Sequence, residues 1–269
     1  MQNKMIVSTK NDQVKYVQNL VKKGKARREE GRYVAEGLRI CRELDPEEIC
    51  SLYVTDAFLN ESGNEDLGEL LKCRHEIVTE SVMKAMADTQ TPQGVLAVVR
   101  QKHYILEDVI TKKNACLMIL ETIQDPGNLG TILRAGEGAG VTGIVMDKNT
   151  VDIYNPKVIR STMGSVFRMP FVYVEDLHDA LRRMKQEKIR LFAAHLKGTN
   201  SYDQEDFTGS CGFLIGNEAN GLTDGTAALA DTYIRIPMLG KVESLNAAVA
   251  SSVLMFEAAR QRRNSKNSL

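Results

Sequence analysis

Seventeen residues, Ile234-Arg-Ile-Pro-Met-Leu-Gly-Lys-Val-Glu-Ser-Leu-Asn-Ala-Ala-Val-Ala250, constrain this chain more than any other stretch. Tyr233 to Ile236 is rich in strand formers, Pro237 ends the ladder by removing a donor, and Gly240 frees a turn. Ser244 and Asn246 then stand where a helix begins, and Ala247, Ala248, Val249, Ala250, Val253, Leu254 and Phe256 make that helix almost wholly apolar. Such a helix is expected to be buried. Ser and Asn at its mouth are explained by capping alone.

Two other stretches share the plan of strand, loop and glycine-framed polar groups. They are Asp125-Pro-Gly-Asn-Leu-Gly-Thr-Ile-Leu-Arg134 and Phe213-Leu-Ile-Gly-Asn-Glu-Ala-Asn-Gly-Leu222. Three junctions of this kind suggest one composite site.

Together they resemble the three signature motifs of the SpoU (TrmH) family of RNA ribose 2′-O-methyltransferases, within the SPOUT superfamily. Asn128, Gly130 and Arg134 match the first motif; Gly216, Asn217, Glu218 and Gly221 the second; Ile236, Pro237, Met238, Ser244, Leu245 and Asn246 the third. The resemblance covers roughly the last 155 residues, a length that suits one domain. It implies an α/β fold: a parallel sheet with helices on both faces, tied in a trefoil knot that spacing alone does not reveal.

Composition sets the frame around these motifs. At 269 residues, 43% of them hydrophobic, the chain suits a globular protein of two domains. No apolar run of membrane-spanning length and no signal-peptide core is present, so a cytoplasmic protein without membrane contact is expected. The five cysteines, Cys41, Cys50, Cys73, Cys116 and Cys211, are scattered without a C-x-x-C pair. They read as reduced thiols, with no metal site and no disulfide framework.

The net charge of zero conceals an asymmetry. Residues 1–42 carry eleven Lys and Arg against four acids, whereas residues 43–70 carry nine acids and no base. A basic cluster in a neutral chain still binds phosphates locally, because screening confines its field to about 8 Å.

Val14, Val17, Leu20 and Val21 recur at helical spacing, and the same segment carries Lys15, Lys22, Lys23, Lys25, Arg27 and Arg28. This predicts a basic amphipathic helix, with Lys22, Lys23, Lys25, Arg27 and Arg28 as RNA contacts. The run Ser8 to Arg42, and Thr91 to Val99 further on, resemble the small substrate-binding domain of many SpoU enzymes, which is similar to the ribosomal L30e fold. Alternating short elements between them favour a small α/β layer. Among these, Asp66 to Cys73 reads as a helix. Residues 1–103 are therefore expected to form an L30e-like RNA-binding domain and 113–269 the catalytic domain, with a linker between Arg100 and Asn114.

Within the second part, Ala115 to Ile123 reads as a strand covered on both faces. Asn128 is placed to cap the helix that carries Arg134. Gly138-Ala-Gly-Val-Thr-Gly143 matches a dinucleotide fingerprint by letter, but it follows a helix and precedes a strand, the reverse of the required context. Asn155-Pro156 opens a helix reaching Ser165, and Asp176 opens another. Arg160, Ser161 and Arg168 are surface residues or RNA contacts. His195 ends a strand and borders a ligand or is structural. Arg260, Arg262, Arg263 and Lys266 suit the end of the last helix or touch RNA.

The resemblance assigns S-adenosyl-L-methionine as cofactor, held by backbone at Gly216, Ile236 and Leu245 with Asn217 and Met238 beside them. It makes Arg134 catalytic, supported by Asn128, Glu218, Ser244 and Asn246. A free guanidinium is a poor base. Arg134 therefore either clamps the phosphate and developing oxyanion or takes the proton transiently. Ser244 and Asn246 are expected to orient Arg134 or the hydroxyl, and Glu218 to pair with Asn128 or Arg134. The substrate class is structured RNA, with 23S ribosomal RNA ranked ahead of transfer RNA, and a homodimer through the catalytic domain is implied. A non-catalytic ribosomal-RNA-binding protein and a nucleotide-dependent oxidoreductase are the competing classes.

Overall fold

The computed structural model describes residues 5–60, 68–72 and 74–266. Asp66, Leu67 and Cys73 of the helix expected at Asp66 to Cys73 lie outside them. Two units pack separately: residues 1–102 with 152–167, and residues 103–151 with 168–269. The segment 152–167, expected in the catalytic domain, thus belongs to the N-terminal unit.

That unit begins with α1 (Asp12–Lys22) and α2 (Gly24–Glu30), a helix pair where the charge pattern suggested a single helix. Val14, Val17, Leu20 and Val21 of α1 are all buried, as their spacing predicts. Next come β1 (Arg32–Glu36), α3 (Leu38–Cys41), β2 (Ile49–Thr55), α4 (Asp56–Asn60), α5 (Gly68–Lys72), β3 (His75–Val78), α6 (Glu80–Met86) and β4 (Val95–Arg100). The four strands form one sheet in the order β1-β4-β2-β3, with β2 and β3 parallel and the other pairs antiparallel. Its core joins α1 to Met83 and Met86 of α6 and to Leu96 and Val98 of β4.

Residues 100–114, expected as linker, contain α7 (Leu106–Ile110) instead. Leu106, Val109 and Ile110 recur at helical spacing and are buried in the core of the second unit, so scattered apolar residues here mark a packed turn of helix. The chain continues through β5 (Cys116–Leu120), α8 (Pro126–Ala139) and β6 (Gly143–Asp147). It then gives α9 (Pro156–Thr162) to the N-terminal unit and returns with β7 (Phe171–Val174), α10 (Leu177–Gln186), β8 (Arg190–Ala194) and β9 (Asn200–Ser201). Last are β10 (Cys211–Ile215), α11 (Asp224–Ala227), β11 (Thr232–Arg235) and α12 (Ala247–Lys266).

These seven strands form a single parallel sheet, flanked by helices, in the order β7-β6-β5-β10-β8-β11-β9. From β5 the chain moves outward to β6 and β7, then returns to the other side through β8 and β10. The order therefore reverses between β5 and β10, the kind of switch point where open α/β sheets hold ligands at strand carboxyl ends. All strands being parallel, the ends of β5, β8, β10 and β11 emerge along one edge.

The last helix departs from expectation. Ala248, Ser251, Leu254, Met255 and Ala258 are buried, yet Val249 is 48% and Phe256 53% exposed. One face packs inward, where an added Cβ at Gly136 of α8 would lie 3.4 Å from the Met255 sulfur. The other face remains apolar and open.

Candidate active site

All three motifs leave the sheet at that edge. The first follows β5, where Pro126 starts α8 and Asp125, not Asn128, caps it: the Asp125 carboxylate accepts from the Asn128 amide at 2.8 Å. Capping by Asp125 leaves the Asn128 side chain for longer-range work. Its Nδ2 donates to Glu218 Oε1 at 3.0 Å, and its Oδ1 accepts from Asn246 Nδ2 at 3.0 Å. Asn246 Oδ1 in turn accepts from the Ala248 and Val249 amides. Asn246 is thus both a helix cap and the end of a relay, Glu218–Asn128–Asn246, that joins the three motifs.

Glu218 also takes the backbone amides of Gln124 and Asp125, at 3.1 and 3.0 Å. Desolvation pushes its carboxyl upward, but the bonds from Asn128 and from the Asp125 and Gln124 amides outweigh it and hold Glu218 below its ordinary value. Glu218 pairs with Asn128, one of its two expected partners. Asn246 bonds Asn128, and among the described residues no hydrogen bond joins it to Arg134. Arg134 lies six residues beyond Asn128 on α8, about 9 Å along the axis. Its side chain is exposed, and no described residue pairs with the guanidinium. Ser244 is exposed too and makes no side-chain hydrogen bond among the described residues.

Beside the relay is a cavity of about 300 Å³ lined by Gly216, Asn217, Ile236, Met238 and Leu245, all five residues expected to hold the cofactor. Glu218 and Ser244 border it as well. Its shape follows from the second motif. Asn217 and Gly221 exchange backbone hydrogen bonds at 3.1 and 2.8 Å, closing a tight loop in which Gly221 adopts φ +69°. A Cβ on Gly216 would come within 2.1 Å of the Gly221 and Leu222 backbone, so only glycine permits the loop to close. The Asn217 side chain anchors the loop, donating to the Thr122 carbonyl at 2.8 Å.

His195 also lines the cavity, its ring 5.2 Å from that of Tyr233. Leu222, Ala250 and Leu254 complete the apolar wall. Sequence reasoning missed these three, because an apolar residue facing a cavity has the same spacing as one facing the core. Exposed backbone and apolar side chains suit a small ligand with a flat ring, and the volume falls at the lower end for such sites. S-Adenosylmethionine, a nucleoside on a short charged chain, fits this lining.

The basic residues expected to touch RNA divide. In the N-terminal unit, Lys22, Lys23, Lys25 and Arg28 are exposed, whereas Arg27 is 3% exposed. Its guanidinium pairs with Asp152 at 2.7 Å and donates to the Leu20 and Val21 carbonyls at the end of α1, so it is structural. Arg160 pairs with Asp88 at 2.7 Å. In the catalytic unit, Arg168 pairs with Glu137 and Arg260 with Glu257. Arg262 is committed to the carbonyls of Phe207, Asn114 and Ala115.

Residues 115–256 match the model of the SpoU rRNA Methylase family, and residues 11–97 match the MRM3-like substrate binding domain. The chain is 30% identical over 255 residues to the 23S rRNA (guanosine(2553)-2′-O)-methyltransferase RlmP of Bacillus subtilis (strain 168), covering 94% of this chain and 98% of that one. Among solved structures it is similar to the AdoMet-bound rRNA methyltransferase from Sinorhizobium meliloti, at TM-score 0.84 and 30% identity over 96% of this chain and 97% of the other. AviRb from Streptomyces viridochromogenes, in complex with AdoMet, matches at TM-score 0.84 and 26% identity, over 94% and 99% of the two chains.

Proposed function

Since the chain belongs to the SpoU rRNA methylase family, and is an S-adenosylmethionine-dependent RNA 2′-O-methyltransferase, we propose that its substrate is a ribose in 23S ribosomal RNA and that Arg134 acts on the reacting hydroxyl. The relay Glu218–Asn128–Asn246 carries this reading, because it ties α8, the helix that bears Arg134, to the two loops that line the cavity. The relative from Bacillus subtilis, matched along nearly its whole length, supports 23S RNA over transfer RNA. Such an enzyme works in the cytoplasm.

S-Adenosylmethionine supplies a methyl group already activated on a sulfonium. The residues of this chain have two further tasks, alignment and charge. Gly216, Ile236 and Leu245 hold the cofactor through their backbone, with Asn217 and Met238 beside them. Holding the donor and the 2′-oxygen in line is worth several kcal/mol, roughly 7–11 at best. Arg134 clamps the adjacent phosphate and stabilises negative charge growing on the 2′-oxygen as its proton passes to solvent water. An exposed guanidinium with no partner among the described residues can make both contacts, and its weak basicity disfavours the alternative of direct proton uptake. Asn128 and Glu218 keep α8 in register, and Ser244 at the rim adds a hydroxyl toward the ribose.

Lys22, Lys23, Lys25 and Arg28 form the electrostatic part of RNA binding. The open face of α12, with Val249 and Phe256, supports a homodimer through the catalytic unit. Arg134→Ala is expected to abolish methyl transfer to ribosomal RNA in single-turnover assays while leaving S-adenosylhomocysteine affinity unchanged by calorimetry. Equal loss of both would overturn the role given to Arg134.

A further inference from the structure

Thr122, just ahead of the first motif, has φ +57°. For a β-branched residue this left-handed backbone is an outlier that persists only when its surroundings hold it. Asp147, at the end of β6 and 8% exposed, does so. Its Oδ1 accepts from the Thr122 amide at 2.8 Å and its Oδ2 from the Thr122 hydroxyl at 2.6 Å. The same carboxylate takes the amide and hydroxyl of Thr150, at 2.9 and 2.7 Å. Thr150 Oγ1 accepts from the Ile123 amide at 3.2 Å, Val151 donates to the Ile123 carbonyl at 2.8 Å, and Gln124 Nε2 donates to the Asn149 carbonyl at 2.6 Å. Residues 122–124 are thereby strapped to residues 147–151.

The strained conformation has a consequence for the site. Turning Thr122 left-handed aims its carbonyl at Asn217 Nδ2, and it sends the amides two and three residues on, of Gln124 and Asp125, to the Glu218 carboxylate. Without the turn, the Gly216–Gly221 loop loses its ties to Thr122, Gln124 and Asp125. We infer that Asp147 is a positioning residue for methyl transfer: by holding Thr122 left-handed it sets the register of Asp125, Asn128 and hence Arg134 against the cavity. This rests on the role given above to the relay and Arg134.

The test uses the full-length enzyme with ribosomal RNA under single turnover at saturating cofactor, with S-adenosylhomocysteine affinity measured in parallel. Asp147→Ala is expected to slow transfer by about 100-fold even at saturating cofactor, the cost of displacing a reacting group by roughly 1 Å, over and above any loss of cofactor affinity from the loosened loop. Asp147→Asn keeps an acceptor for the Thr122 amide, and the Thr122 hydroxyl can turn to accept from the new amide group, so most of the rate returns. Adding Thr122→Gly to Asp147→Ala is expected to restore at least about tenfold, because glycine adopts the left-handed turn unaided. A residue that merely stabilised β6 would show no such rescue, and absence of rescue overturns the inference.

Should Asp147→Ala fail to fold, Thr122→Val and Thr122→Gly in the native background decide. Valine, which keeps the branch but loses the hydroxyl, is expected to slow transfer, and glycine to leave it near the native rate. Equal rates for both overturn the inference. Arg134→Ala run alongside separates the two claims: if it transfers normally, the reading of the site fails whatever Asp147 does, whereas an inactive Arg134→Ala with a normal Asp147→Ala sinks the positioning role alone.

Discussion

Arg27 shows how far a residue's type and its surroundings can diverge. In the sequence it is one of five cations in a basic run, indistinguishable from Lys25 or Arg28. In the fold it is buried against Asp152, 125 positions away, and it satisfies two carbonyls at the end of α1. Removing one partner of a buried pair strands the other, so Arg27→Ala is expected to lower unfolding free energy by about 3 kcal/mol, measured in urea. Lys22→Ala, Lys23→Ala and Arg28→Ala should change stability little and instead reduce the salt slope of RNA binding by about one for each phosphate no longer neutralised. An unchanged slope would make this face merely solvated. Cys41 provides a second residue-scale check: burial, reinforced by Glu36, pushes its thiol up to about 12. Alkylation at pH 8 is expected to spare Cys41 until the protein unfolds. The motif residues were legible because chemistry restricts their type. The partner of Arg27 was not, because no local pattern records a pairing across so many positions.

Elements were easiest to read where period and punctuation agreed. Asn155-Pro156 opens α9 and Asp176 opens α10 as expected, and the apolar run beginning at Ala115 is a central strand of the parallel sheet. Reading failed where two residues competed for one task. Asp125 and Asn128 both suit a helix cap, and Pro126 at the first helical position gives the task to Asp125. It failed again for α7, too short to declare a period amid charges. At this scale Gly216→Ala is expected to weaken S-adenosylhomocysteine binding at least about tenfold by calorimetry, since the Cβ collides with backbone that cannot yield. Glu218 gives the loops a pH dependence. Its carboxyl is depressed in the folded protein, so the tie it makes is present above the unfolded pKa and is lost as pH falls through the folded one. Glu218→Gln should flatten the acid limb of the stability profile; an unaltered limb would mean the tie contributes nothing there.

For the molecule as a whole, the sequence showed two units and the order of motifs along the chain. It could not show that residues 152–167 leave one unit to pack in the other, because composition does not shift at those points. Nor did it distinguish the buried face of α12 from the open one, since both are apolar. That open face is expected to close in a dimer. Replacing Phe256 with Asp should yield a monomer in sedimentation, and an unaltered association state would place the interface elsewhere. On the reading proposed above, segments from three parts of the chain act as one catalytic unit through Asn128. A double-mutant cycle on the single-turnover rate tests it most directly. If the relay operates, Asn128→Ala and Asn246→Ala together slow methyl transfer little more than either alone; losses that multiply would show that the two side chains act independently and that no relay joins the motifs.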